Sequence, residues 1–268
     1  MIDRFSMKGR RALVTGASMS IGRSLAVAFA DHGAAVALHH STLADARAGL
    51  PDAAREALVE VERREVEACL VDGDLAEVGS GTRVVERAIA ALGGIDVLVV
   101  CASIQVRTPF LDVTAAEIER QVAIDFRATI ELLQAALPPM RERRWGRVLT
   151  IGSINQARPG PDLAVYAALK AAQHNLCINL AREYAPHGVM INNLAPGLVA
   201  TERNRWRRED ADEWRRIQAS VAAPIGRAAS PDEMAGAALL LCSDAASYIA
   251  GVDLMVTGGA HLPSSGMS

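Results

Sequence analysis

Short apolar runs alternate with longer stretches of helical apolar spacing along most of the chain. Arg11 to Val14 is a brief apolar run that ends in a glycine-bearing turn, and from Ile21 to Ala30 apolar residues recur at helical spacing until Gly33. That order predicts strand, turn, helix. Ala35 to Leu38 then predicts a second strand, Leu43 to Arg64 a mostly helical stretch, Cys69 to Val71 a third strand and Thr82 to Leu92 a helix. Ile95 to Cys101 is a largely β-branched run, the pattern of a strand buried on both faces. Thr114 to Met140 predicts a long helix, Arg147 to Ile151 a strand, Val165 to Tyr184 a helix and Met190 to Leu194 a strand. Strands alternating with crossover helices predict a doubly wound parallel sheet in an α/β fold. Only residues 198–224 interrupt the alternation. Their many charges around Trp206 and Trp214 predict a small helical lid above the sheet, with both tryptophans as candidates for lining a pocket.

With no linker, low-complexity tract or repeat of about 20–50 residues, the 268 residues read as one domain spanning 1–268. Half of the residues are apolar, enough for a large core, and the formal charge of -3 comes from interspersed acids and bases. Such a surface offers no basic patch for nucleic acid or an anionic membrane, so neither is expected as a partner. No run approaches the ~20 apolar residues of a membrane span. The charged start, MIDRFSMKGRR, lacks the apolar core of a signal peptide, and a cytoplasmic location is the expectation. Cys69, Cys101, Cys177 and Cys242 are too scattered for a zinc site. Nor do His39 and His40 suggest a metal, since neighbours on an extended segment point apart. The six arginines between 202 and 216 share that stretch with five acids, which favours a salt-bridged helix over an anion site.

The turn after the first strand reads Thr15-Gly16-Ala17-Ser18-Met19-Ser20-Ile21-Gly22. A glycine-bearing strand-to-helix turn aims backbone N–H groups and a positive helix end at one point, where a pyrophosphate can sit. Further along, Tyr166 and Lys170 are separated by four positions on a predicted helix and share one face. A phenol beside an ammonium can exchange a proton: lowering a tyrosine from pKa ~10 to ~7 takes about 4 kcal/mol, and a unit charge at ~4 Å in an effective dielectric of ~20 supplies about as much. Ser153, 13 residues before Tyr166, follows the strand ending at Ile151, which puts its hydroxyl at the carboxyl edge of the sheet, where ligands of such sheets bind.

Together these segments resemble the short-chain dehydrogenase/reductase family, whose turn reads TGxxxGxG and whose site combines Ser with YxxxK. The likeness extends from about Lys8 to Gly259 and includes Ala195-Pro196-Gly197 with Thr201, and Asp74-Leu75 after the third strand. It implies a Rossmann-type fold and hydride transfer between a nicotinamide cofactor and a secondary alcohol or ketone. Tyr166 would then give or take the proton, Lys170 would support it and bind the ribose, and Ser153 would hydrogen-bond the reacting oxygen. The cofactor would lie along Gly16, Ser18, Ser20, Ile21, Gly22, His40, Ser41, Asp74, Leu75, Ala102, Tyr166, Lys170, Pro196, Gly197, Val199 and Thr201. Related enoyl reductases space Tyr and Lys further apart, which favours carbonyl chemistry over double-bond reduction. The resemblance also implies a homotetramer or homodimer built on the Ala- and Leu-rich helices. It leaves the substrate open among a 3-oxoacyl thioester, a sugar or polyol and a small cyclic ketone.

Several positions depart from the family pattern. Ser20 stands for the middle glycine of the turn, Val100-Cys101-Ala102-Ser103 for NNAG, Thr257 for an Asp near the last strand, and Asp125 for the helical Asn of the catalytic set. These losses keep a second reading open, a nucleotide-binding sensor or scaffold that turns over poorly. For cofactor choice, the second strand ends His39-His40-Ser41-Thr42, with no acid before Asp45. Without a carboxylate to repel a 2′-phosphate, and with Ser41, Thr42 or a protonated His40 able to donate to it, NADP(H) is favoured over NAD(H), with dual use expected.

Overall fold

The computed structural model describes residues 3–221 and 223–263. Seven parallel strands form one sheet in the order β3-β2-β1-β4-β5-β6-β7. They are β1 (Arg11–Val14), β2 (Ala35–His40), β3 (Ala68–Asp72), β4 (Val97–Val100), β5 (Gly146–Ile151), β6 (Val189–Pro196) and β7 (Asp253–Val256). The strand order reverses direction between β1 and β4, and the carboxyl edge opens into a crevice at such a switch point.

Every residue of β4 and β5 is buried, as strands with helices on both faces require. Their side chains divide by parity between two cores. Val97 and Val99 join the core under α1 (Ser20–Asp31), whereas Leu98 and Val100 join the one under α4 (Ser80–Leu92) and α6 (Ala128–Glu142). The expected doubly wound α/β architecture is the observed one.

Three stretches differ from the sequence expectation. The helical stretch 43–64 is two helices, α2 (Thr42–Arg47) and α3 (Ala53–Glu62), parted at Pro51, which cannot continue the helix before it. The long helix from Thr114 contains a π-helical turn, Val122–Arg127, between α5 (Ala115–Gln121) and α6. The third difference is α10 (Ala235–Cys242), whose sequence AGAALLLC has no polar face and so no helical period to read. Its Ala238, Leu239, Leu241 and Cys242 are buried in the core beneath α1.

α7 (Ala164–Tyr184) packs against β6 and over the turn 154–156 that follows β5. The lid comprises a turn at 202–204, α8 (Arg205–Arg208) and α9 (Ala211–Ser220). No helix among the described residues is long and apolar enough to cross a membrane.

At the opposite edge, Arg11 clamps Asp96 with Nε on Oδ2 at 2.8 Å and Nη2 on Oδ1 at 2.9 Å, joining the starts of β1 and β4. Burial pushes the Asp96 carboxyl up, but the bonds and charge of Arg11 outweigh it and hold the group below the usual carboxylate range. A depressed acid stabilises the fold above its unfolded pKa, and that contribution disappears as the pH falls through the folded one. We expect Asp96→Ala to cost about 2–3 kcal/mol in urea denaturation at neutral pH. The gap from the wild type should shrink as the pH drops below about 4.

Candidate active site

The turn after β1 is built from both neighbouring strands. Thr15 Oγ1 donates to Val99 O at 3.2 Å and accepts from the N–H groups of Cys101 and Ala102 at 2.9 and 3.1 Å. Gly16 has φ +65°, and a Cβ there would stand 2.9 Å from Ala102 Cα. At Gly22 a Cβ would come within 2.0 Å of Gly16 O. Backbone thus packs on backbone through the turn at Gly16 and Gly22, the close packing that a strand-to-helix turn needs to bring its N–H groups up to a pyrophosphate. Ser20 takes the left-handed conformation, φ +51°, that a glycine adopts more easily. Its hydroxyl accepts the Glu202 N–H at 3.0 Å and ties the turn to the lid.

His39 turns inward as a strut. Its Nδ1 accepts from Gly16 N–H at 3.2 Å, and its Nε2–H donates to Gly73 O at 3.0 Å. Burial lowers its pKa to about 4, so the ring is the neutral tautomer that this pairing needs. His40 is buried on the other side, with Nδ1 3.4 Å from Asp45 Oδ2 and 3.8 Å from Asp72 Oδ1.

Asp45 changes the sequence picture of this corner. Although it lies five residues beyond the end of β2, α2 folds it back until it is 2% exposed, and Ser18 Oγ donates to its Oδ1 at 2.7 Å. The strand end that reads as acid-free therefore holds a buried carboxylate, and the Ser18 hydroxyl is directed at that acid. Ser41 Oγ accepts from Ala44 N–H and keeps its own proton available. Asp74 Oδ1 accepts from Ala76 N–H, and Leu75 is buried below it. Ile21 packs as a partly buried side chain on the core under α1.

At the far end of the edge, Pro196 closes β6 and Gly197 N–H donates to Val256 O at 3.0 Å. A Cβ at Gly197 would stand 2.9 Å from Thr257 Cα, so the chain passes close to the end of β7. Val199 is buried and bridges to Ala229, and Thr201 caps the first turn of the lid.

Ser153, Tyr166 and Lys170 are 7%, 4% and 2% exposed. Lys170 Nζ donates to Ile151 O at 2.9 Å and to Gln173 Oε1 at 3.2 Å, and lies 5.9 Å from the centroid of the Tyr166 ring. The buried ammonium is thus anchored to the strand that carries Ser153. Ser153 Oγ accepts from both Asn155 N–H and Asn155 Nδ2, at 3.2 and 3.1 Å. With both lone pairs engaged, the Ser153 hydroxyl can only donate. A chain of polar contacts sets its position: Thr150 Oγ1 to Asn193 Oδ1 at 2.6 Å, Asn193 Nδ2 to Asp253 Oδ1 at 2.6 Å, and Gln156 Nε2 to Asp253 Oδ2 at 2.7 Å. Gln156 Oε1 then accepts the Ser153 N–H at 3.2 Å.

Asp125 sits in the π-helical turn, 1% exposed, with neither carboxylate oxygen in a hydrogen bond. Burial holds its carboxyl above the usual range, partly offset by the charges of Lys170 and Arg203; Ser103 and the Ile104 N–H approach it without reaching hydrogen-bonding geometry. Its backbone carbonyl accepts from Thr129 Oγ1 at 3.0 Å and from Gln173 Nε2 at 3.4 Å, so Gln173 links it to Lys170. Burial also pushes the Cys101 thiol up to about 11, too high for a nucleophile at neutral pH.

Comparison with known proteins decides the family. A family model described as enoyl-(acyl carrier protein) reductase matches residues 16–261. The chain belongs to the short-chain dehydrogenase/reductase family. Membership makes it an oxidoreductase. It is 32% identical to the L-rhamnose 1-dehydrogenase (NAD(P)(+)) of Sphingomonas sp. (strain SKA58) over 96% of this chain and 98% of that protein. It is 34% identical to the gluconate 5-dehydrogenase of Gluconobacter oxydans (strain 621H) over 96% of each. Among solved structures, a 3-oxoacyl (acyl-carrier-protein) reductase of Agrobacterium tumefaciens C58, crystallised with NADP bound, matches at 41% identity and a TM-score of 0.89 over 96% of each chain.

Sequence reasoning named Asp45 only as an acid beyond the strand end, and it did not single out Gln156, Gln173, Asn193 or Asp253. Each acts through a partner far along the chain or across an element, and no local pattern marks it. Asp125 generates a pH prediction. A buried acid with a raised pKa costs stability as the pH climbs above the unfolded value, and an amide carries no such cost. Asp125→Asn should therefore raise the melting temperature little near pH ~4 and more near pH ~8, while keeping or raising activity at neutral pH. Equal shifts at both pH values would contradict the assignment.

Proposed function

We propose that this short-chain dehydrogenase/reductase interconverts a secondary alcohol and a ketone with NAD(P)(H), using Tyr166, Lys170 and Ser153. The observation that carries this reading is the convergence of a buried phenol, a buried ammonium and a donor-only hydroxyl at one sheet edge. The glycine cradle fits a dinucleotide, and Gly16, Ser20, Ile21, Gly22, Ala102, Pro196, Gly197, Val199 and Thr201 would line it. When bound, the nicotinamide supplies the hydride acceptor or donor.

The protein's part is proton transfer and positioning. Ser153 donates to the reacting oxygen, because no other role is left to its hydroxyl. Tyr166 takes the alcohol proton in oxidation and returns it to the carbonyl oxygen in reduction, while the Lys170 charge favours the negative charge that builds on the phenol oxygen. The Tyr166–Lys170 spacing of four residues favours carbonyl over double-bond reduction. Tyr166→Phe should lower kcat at least about a thousandfold with cofactor affinity unchanged by fluorescence titration. Retained turnover would refute the assignment.

For the cofactor, NADP(H) over NAD(H) with dual use is the reading that Ser41 and His40 support, since both can donate to a 2′-phosphate. Asp45 and Asp72 oppose it and limit the preference. NADPH should bind more tightly than NADH in separate titrations, and Asp45→Asn should tighten NADPH about tenfold with NADH little changed. A wild type that binds NADH ten times more tightly would overturn the choice. The subunits are proposed to assemble as a homodimer or homotetramer through α5, the π-helical turn that follows it and α7, where Ile118, Val122 and Ile178 are exposed at 42%, 38% and 44%.

A further inference from the structure

The loop after β4 runs along the open edge of the site. It starts with Ala102 against Gly16 of the cradle, and ends where Thr108 N–H donates to Asp162 O at 3.1 Å, four residues before Tyr166. The lid meets this loop midway, with Arg203 Nη2 donating to Ser103 O at 2.8 Å. The cleft leading to the phenol is therefore walled by loop residues 103–107 on one side and by the start of the lid on the other.

The arginines of these walls are not equivalent. Arg205 pairs with Glu202 at 3.3 Å, Arg215 with Asp212, and Arg208 donates to Thr201 O. Among the described residues, neither Arg107 nor Arg207 is bound to any carboxylate or carbonyl; the Arg207 guanidinium lies 4.8 Å from the centroid of the Trp206 ring. The two guanidinium groups also sense each other. Burial and then the charge of Arg207 hold Arg107 below its ordinary range, with Asp162 the one acid acting against them. Arg107 stands at the exposed rim and Arg207 is half-buried, and two like charges that Asp162 offsets only in part cost free energy that an arriving anion relieves.

We propose that Arg107 and Arg207 together receive a carboxylate on the substrate, so that the alcohol presented to Tyr166 belongs to a hydroxy acid of the sugar-acid class. Two planar forks from opposite walls match a carboxylate. This inference rests on the oxidoreductase reading above and adds the substrate's charge to it. In oxidation the carbinol C–H leaves as hydride to the oxidised nicotinamide and the O–H proton passes to Tyr166, while the carboxylate is unchanged.

The test measures kcat and KM with a six-carbon sugar acid, the neutral polyol of equal length and a sugar phosphate. It uses wild type, Arg107→Gln, Arg207→Gln and, as control, the exposed Arg215→Gln. The sugar acid should be the best substrate, and each of the first two variants should lower its kcat/KM, relative to the polyol, about thirtyfold, mainly through KM. Calorimetric titration of the acid into the enzyme with oxidised cofactor should show binding that both variants lose and the control retains. Acid KM within twofold of wild type in both variants overturns the proposal, as does preference for the polyol or the phosphate. If no panel member turns over, the oxidoreductase reading fails, and the titration alone decides the carboxylate site: binding lost in the variants upholds it, and absence of binding ends it.

Discussion

Thr15 spends every hydrogen-bonding position of its hydroxyl on β4 and the loop that follows it, donating to Val99 and accepting from Cys101 and Ala102. That single side chain holds the ends of β1 and β4 together where the sheet changes direction. The crevice exists because the helices following these strands depart to opposite faces, and Thr15 keeps its floor closed. Gly16 and Gly22 can then pack backbone against backbone, which no side chain would allow. The placement of the β4 loop, and through Arg203 the placement of the lid, follow from that floor.

Buried charge is handled in two ways within the site. Lys170 is fully enclosed, and two of its three N–H donors are taken by a strand carbonyl and the Gln173 amide oxygen, which offsets most of the cost of its burial. Asp125 receives no such compensation. Its carboxylate oxygens are unpaired and its burial disfavours ionisation, a cost tolerated near Lys170 and Arg203 because their positive charges offset part of it. The π-helical turn that carries Asp125 also turns its carbonyl toward Thr129 and Gln173, so the polar links converge on the lysine.

The serine is fixed by an independent route. Thr150, Asn193, Asp253 and Gln156 bind strands β5, β6 and β7 into one polar seam that ends at the Ser153 N–H. Such a seam is stable only when its members are paired, and here three of its four bonds are 2.6–2.7 Å long and the one to Ser153 N–H is 3.2 Å. The lid rests on longer-range ties, Glu202 to Ser20 and Arg203 to Ser103. Few connections and an exposed Trp206 make it the part of the site with most freedom to adapt to a ligand.

The sequence alone determined the alternation of strands and crossover helices, the glycine turn, and the positions of Ser153, Tyr166 and Lys170. These are local properties: burial on both faces of a strand, a turn that only small residues allow, and a helical separation of four. It could not reveal α10, because a helix buried all round has no periodicity. It placed Asp45 beyond the strand end, where tertiary structure folds that acid back against Ser18 and His40. It offered six lid arginines as a salt-bridged group, and only the fold separated the paired Arg205 and Arg215 from the unpaired Arg207. Contacts between residues tens to hundreds of positions apart are set by the packing of elements on the sheet, and that information resides in no segment of the chain by itself.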